Sequence, residues 1–145
     1  MTNISWRKAA EADREFFRRV HHGSYRRVIE AVFGWDEALQ DRFADHDFDT
    51  RNIHIIYKDE APCGVLGWME SEQSVELGPL YLTDAHQGGG IGSWIVSDFI
   101  SRYRGKALIL KTLKSNVRAK ALYERLGFIV TEANDKYWHM QYVAQ

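Results

Sequence analysis

Residues 87–92 read Gln87-Gly88-Gly89-Gly90-Ile91-Gly92 and join two apolar segments of different period. Val75 to Leu82 before them has strand character. After them Ile91, Ile95 and Phe99 recur every four residues, with Trp94 widening the stripe, which predicts a helix to about Arg104. A strand, a glycine turn and a helix together form an anion-binding device. Glycine accepts positive φ and lets the backbone approach a ligand closely. The first helical turn then offers unsatisfied N–H groups, aided by the macrodipole, to phosphate oxygens. Two named motifs fail here. Counting G-x-G-x-x-G from Gly88 puts Ser93 in the last place, and no Gly-Lys-Ser/Thr completes a nucleotide P-loop.

What remains is Gln87-x-x-Gly90-x-Gly92, and a second segment agrees with it: Asn116-x-x-Ala119-x-x-Leu122-Tyr123-Glu124-Arg125-Leu126-Gly127-Phe128. With both motifs in this order, the chain resembles the Gcn5-related N-acetyltransferase (GNAT) family from end to end. The resemblance implies a mixed α/β fold, mainly antiparallel, with helices on both faces and the fourth and fifth strands splayed apart. It implies acetyl-CoA as acyl donor, its pantetheine arm in the splay along the backbone of Leu80, Tyr81 and Leu82. The pyrophosphate would meet Gln87, Gly88, Gly89, Gly90, Ile91, Gly92 and Ser93, with Asn116, Ala119 and Tyr123 on the next helix. A backbone N–H near Leu82 would polarise the thioester carbonyl. Two departures stand out. Pro79 lacks a donor, which a bulge tolerates, and Gly88-Gly89 stand where many relatives carry Arg or Lys, so backbone N–H groups would hold the phosphates.

Acyl transfer to an amine needs a neutral amine, a polarised carbonyl and a proton for the leaving thiolate. Tyr123 is the expected proton donor, a role the family gives to the tyrosine of this motif; the competing reading is a packed aromatic. Glu76 is the expected base, near where relatives place a glutamate, and a surface strand residue is the alternative. His54, alternating with apolar neighbours, is a weaker candidate. Asn116 would touch the cofactor or simply cap its helix. The acceptor pocket falls to the first helices and the loop after them, which read Tyr25, then Trp35-Asp36-Glu37, then Asp45-His46-Asp47-Phe48-Asp49. Aromatics beside carboxylates suit a cationic amine, with Tyr137 and Trp138 as further candidates.

The rest of the chain reads as one domain, 1–145. Ile4 to Lys8 is a strand, Glu11 to His22 and Tyr25 to Phe33 are helical with Gly34 as a stop, and Trp35 to Phe43 restarts the helix. Residues 53–57, Cys63 to Glu70 and Val75 to Leu82 form an antiparallel meander. Ala107 to Leu110 is a buried strand, Asn116 to Leu126 a helix, and two strands follow at 128–131 and 137–143.

The chain has 145 residues, 45% apolar and 13% aromatic, which excludes disorder as the main state. Nineteen Lys plus Arg against twenty Asp plus Glu leave a charge of −1, too balanced for non-specific nucleic-acid binding. Cys63 is alone, so neither a disulfide nor a cysteine zinc cage forms, and no nucleophile is expected. Asp45-x-Asp47-x-Asp49 lacks the glycine and final glutamate of a calcium loop. His21-His22 have no partners at metal-ligand spacing, so no metal is expected. No apolar window approaches the roughly 20 residues of a membrane span, and residues 1–7 lack a signal-peptide core. The expectation is a cytoplasmic acetyl-CoA-dependent N-acetyltransferase acting on a small-molecule or peptide amine, without nucleic-acid or membrane partners. Aromatics near the carboxyl end are available to a homodimer interface. The alternative is an acyl-CoA-binding module that senses without turnover.

Overall fold

A computed structural model describes residues 3–144, without the side chains of Ser24, Tyr25, Arg27, Val28 and residues 31–33. The elements run β1 (Ile4–Lys8), α1 (Arg14–Phe33), α2 (Glu37–Thr50), β2 (His54–Lys58), β3 (Ala61–Glu70), β4 (Ser74–Leu82), α3 (Ile91–Arg102), β5 (Ala107–Leu113), α4 (Val117–Arg125), β6 (Phe128–Ala133) and β7 (Tyr137–Tyr142). The strands make one seven-stranded sheet in the order β1-β2-β3-β4-β5-β7-β6. Every neighbouring pair is antiparallel except β4 and β5. Helices cover both faces, as expected of the fold class.

Strand alternation divides the core in two. Cys63 and Leu66 of β3, with Val75 and Leu77 of β4, meet Ile91, Ile95, Val96 and Phe99 of α3 on one face, and Tyr123 of α4 packs against the same cluster. On the other face Ile53, Ile55 and Val65 meet Phe17 and Val20 of α1 and Ala44 of α2. Cys63 is buried, and burial pushes its thiol up, so it behaves as a small core residue.

Two helices differ from the periodicity reading. The first is continuous through Gly23 and Ser24 and ends at Gly34, which takes φ 73°. The second starts after Asp36, whose carboxylate accepts from Leu39 N–H at 3.1 Å, and runs to Thr50. Residues 45–49, expected as a loop, are therefore its last turns. Their negative charge is offset from α1: Asp45 accepts from Arg14 at 3.4 Å and from Arg18 Nε at 2.9 Å, and Asp49 pairs with Arg14. Phe48 packs on Phe17 with ring centroids 5.7 Å apart. Tertiary packing and ion pairing thus extend a helix that its own apolar pattern marks only in part.

The feature that positions the site is where β4 and β5 part. Their ladder holds only Ser74 to Ala107, Val75 to Leu108 and Glu76 to Ile109. Beyond Glu76, β4 bulges: Leu77 faces Trp68 of β3 but Leu80 faces Leu66, so one extra residue fits in around Gly78-Pro79. Gly67 of β3 is required opposite this bulge, since a Cβ there would lie 2.9 Å from Pro79 Cδ. Meanwhile β5 continues to Leu113 along β7. Residues 77–82 of β4 lie beyond this ladder, and a wedge opens where the two strands stop pairing. Among the described residues no helix is long and apolar enough to cross a membrane.

Candidate active site

The wedge is bordered on the α3 face by the glycine turn. A short 3-10 turn, Asp84–His86, leads into it from β4. Thr83 Oγ1 and His86 Nδ1 lie 2.8 Å apart, and the Gln87 amide donates to the Leu82 carbonyl at 3.1 Å, so the turn is tied back to its strand. Gln87 therefore positions the loop through its side chain. Gly88 and Gly90 take φ 78° and 85°, the left-handed region that favours glycine. Gly90 is the N-cap of α3, and its carbonyl accepts the Trp94 N–H at 3.0 Å. The N–H groups of Ile91, Gly92 and Ser93 precede that bond and are the donors a helix start leaves unsatisfied. Ile91 is 4% exposed and anchors the turn in the core.

The turn also passes the test of an open cradle. A Cβ at Gly90 would meet nothing within 4 Å, and one at Gly89 only the His86 carbonyl at 3.9 Å. At Gly88 the one neighbour is the Arg118 guanidinium, 4.0 Å away. Arg118 stands in the first turn of α4, so a guanidinium from a different element lies beside the glycine turn. Its spacing, two residues after Asn116, carries no sign of this; only the approach of α4 to α3, with Leu122 3.9 Å from a Cβ at Gly92, reveals it.

On α4, the Asn116 side-chain oxygen Oδ1 accepts from Ala119 N–H at 3.2 Å, so Asn116 is the helix N-cap. Ala119 thus contributes the capped amide, and Tyr123 follows one turn later on the same face. The Tyr123 ring packs on Phe128, centroids 5.8 Å apart. Among the described residues its hydroxyl has no hydrogen-bond partner, and burial pushes its pKa up to about 12. Leu80 and Leu82 pack against the α3-face core, whereas Tyr81 turns to α1, beside Phe17 and His21.

Glu76 is the last β4 residue paired with β5 and stands on the opposite face, half-exposed. Its carboxylate accepts from Arg51 Nη1 at 2.6 Å, Arg51 being the C-cap of α2. One turn back on α2, Asp47 is half-buried and, among the described residues, its carboxylate accepts no hydrogen bond. Burial raises the Asp47 pKa, while Arg51, His46 and Lys111 pull against that rise. Tyr137 of β7 is raised in turn by its own burial and by the Asp47 charge. The cation of Lys111 lies 4.7 Å from the Tyr137 ring centre. Glu76, Arg51, Asp47, Lys111 and Tyr137 thus form one charged group on the α1/α2 face.

The other acceptor-side candidates are placed elsewhere. His54 stacks on Trp68 with centroids 4.4 Å apart and contacts the Asn52 carbonyl at 2.9 Å; Trp68 belongs to the α3-face core. His54 therefore faces away from Glu76, and burial lowers its pKa, as for a packed strand histidine. Trp35 is held where α1 meets α2, its indole N–H donating to Glu37 at 2.6 Å and the Arg26 guanidinium 4.9 Å from its ring centre. Trp138 packs on the α3-face core under Lys114 and Lys120. The Tyr25 side chain lies outside the described residues.

Strand order, a parallel pair that splays after three residues, a glycine turn at the wedge and a following capped helix define the acyl-CoA N-acyltransferase fold. The chain belongs to the FR47-like protein family, of GNAT type, whose model matches residues 56–139. Solved structures agree in fold. The PaiA N-acetyltransferase of Thermoplasma acidophilum, in complex with coenzyme A, is 16% identical with TM-score 0.76, covering 98% of this chain and 99% of that one. An acetyltransferase of Thermus thermophilus is 19% identical with TM-score 0.76, covering 96% of each. The ribosomal-protein-S18-alanine N-acetyltransferase of Escherichia coli is 19% identical with TM-score 0.68, covering 100% and 97%. No curated protein sequence matches this chain significantly.

Proposed function

We propose that this protein is an acetyl-CoA-dependent N-acetyltransferase that acylates a primary amine by direct attack. The observation that carries this reading is the wedge beyond Glu76 beside an unobstructed glycine turn. The likeness to a fold solved with coenzyme A supports the same donor. The N–H groups of residues 88–93, joined by the Arg118 guanidinium, hold the pyrophosphate. The backbone of Leu80 to Leu82, beyond the end of the β4–β5 ladder, receives the pantetheine arm and orients the thioester. The donor supplies an activated acyl carbonyl when bound; the chain supplies orientation and proton management.

An alkyl amine with a pKa near 10 is mostly charged at neutral pH and must lose a proton before attack. Glu76 and Asp47 are the two carboxylates on the acceptor face available to take it, directly or through water. Arg51 bonds to Glu76, whereas burial makes Asp47 bind a proton more readily than an ordinary aspartate. Tyr123 stays protonated across the physiological range and donates a hydrogen bond to the departing sulfur. Among the described residues its hydroxyl has no bond to break first.

One observation favours a non-catalytic acyl-CoA-binding module: the Arg51 bond occupies Glu76. Incubation with acetyl-CoA and a panel of amines, amino acids, polyamines and peptide amino termini, reading free CoA thiol, separates the two. The enzyme reading expects thiol release that depends on one amine class. A Tm raised by acetyl-CoA without thiol release from any amine leaves the binding module. Tyr123→Phe should lower kcat about a hundredfold and leave KM within a few-fold; an unchanged kcat removes Tyr123 from the reaction.

A further inference from the structure

We propose that His22, Glu37 and Asp41 form a binding site for a divalent transition-metal ion of the zinc class, clamping α1 to the first turn of α2. His22 comes from α1, while Glu37 and Asp41 stand four residues apart on α2 and so share a face. Their ligand atoms all lie within 4.8 Å of one another. His22 Nε2 is 2.7 Å from Asp41 Oδ1 and 3.7 Å from Glu37 Oε1. Sequence spacing hides this set, because the histidine and the carboxylates are on different helices.

What distinguishes the set from an ordinary histidine–carboxylate pair is that two of its members have outer partners. His22 Nδ1 lies 2.8 Å from His21 Nδ1, so one of these nitrogens carries the proton between them. Before an ion binds, His22 Nε2–H donates to Asp41 at 2.7 Å; an ion takes the place of that proton, and with Nδ1–H then directed at His21 the imidazole is in the tautomer a metal requires. His21 is fixed for this role: it is 3% exposed, stacked on Phe17 and edge-on to Tyr81 of β4, 5.4 Å away. The outer oxygen of Glu37 accepts from Trp35 Nε1–H at 2.6 Å, which leaves Oε1 turned toward His22.

The donor chemistry selects the ion. One imidazole and two carboxylates neutralise a dication and suit zinc, cobalt or nickel, whereas calcium and magnesium take six or more oxygens. Zinc bonds of about 2.0–2.2 Å in tetrahedral geometry separate ligand atoms by about 3.3 Å. Asp41 would withdraw slightly from His22 and Glu37 would close in, both within the reach of a side-chain rotation. Glu37 is 63% and Asp41 37% exposed, so the ion has a path in and a fourth position for water. The site is independent of the acetyl-donor turn and lies behind Tyr81, at the α1 side of β4.

The test is titration of the full-length protein with Co2+ and then Zn2+, following visible cobalt absorption and tryptophan fluorescence. The expected result is one saturable equivalent of cobalt, displaced by zinc, with quenching that Trp35→Phe reduces. His22→Ala and Asp41→Asn should each weaken zinc binding more than tenfold, while His46→Ala on exposed α2 surface leaves it unchanged. His21→Gln should weaken it about tenfold through the lost partner of Nδ1. If His22→Ala does not fold, judged by its metal-free circular dichroism, Asp41→Asn decides the question in its place. Absence of saturable uptake by the wild type, or equal uptake by Asp41→Asn, overturns the site and leaves an ordinary ion pair. Neither outcome bears on thiol release, so this reading and the acetyltransferase reading fail separately.

Discussion

On the α3/α4 face the proposed ligand contacts are backbone amides of residues 88–93, set by two glycines at positive φ. On the α1/α2 face they are side chains drawn together from α2, β4, β5 and β7. The two faces therefore differ in what a substitution reaches. Backbone donors are lost only when the chain cannot take its turn, so their sequence requirement is narrow. Charged side chains can be exchanged one at a time, and so can change the amine accepted without touching the donor site. The family match begins at Ile56 and leaves out α1 and α2 altogether, as such a division of labour would produce.

The largest effect expected from breaking this contrast is at Gly90. Valine there must adopt φ 85°, a strain on the order of 1–3 kcal/mol for a β-branched residue. Nothing stands within 4 Å of the new Cβ, so the core need not move. Gly90→Val should weaken CoA binding by about ten- to a hundredfold in calorimetric titration, with the fold retained by circular dichroism. Wild-type affinity would show that the turn is a connection and not a cradle.

Arg118→Ala tests whether the donor face is wholly a backbone device. The guanidinium is exposed, so screening reduces its contribution, and a loss of about fivefold in CoA affinity is expected. The salt dependence of binding should flatten at the same time. An unchanged affinity at low ionic strength would return the phosphate site to the backbone alone.

The same division explains what could be read from the sequence. The glycine turn, the β4–α3 unit and the Asn116 to Phe128 segment are local in the chain, and their elements stand where spacing put them. The elements that carry Tyr123 and the turn residues are legible because helix and turn geometry relate near neighbours. The placements of Arg51, Asp47 and Arg118 are not, because they arise from pairs distant in sequence. Arg51 meets Glu76 only when the end of α2 reaches the sheet, and Arg118 meets Gly88 only when α4 packs beside α3. The Asp45 to Asp49 run shows the limit most clearly. By composition it is a cluster of acceptor-side carboxylates; in the structure two of its aspartates serve Arg14 and Arg18, and Asp47 alone is left for the wedge.

That difference gives the smallest effect, and the one with a sign that separates neighbours. Hydrogen bonds from Arg18, and then from Arg14, hold the Asp45 carboxyl below its usual range. Its contribution to stability is therefore present above the unfolded-state pKa near 4 and is lost as pH falls through the lower folded value. Asp47 is raised by burial, so the folded state binds its proton more tightly than the unfolded chain does. Stability then declines as pH rises from near 4 through the folded value, and at neutral pH the burial of the charge opposes folding. Asp47→Asn removes that opposition. It should raise Tm at pH 7 by about 1–3 °C, the size of a sub-kilocalorie change in a chain of this length, and leave Tm unchanged below pH 4. Asp45→Asn should instead lower Tm at pH 7. If Asp47 serves the amine, the stabilised Asp47→Asn protein will bind CoA normally while its KM for the amine rises. A rise in Tm with an unaltered KM would make Asp47 a burial cost without a role at the acceptor site.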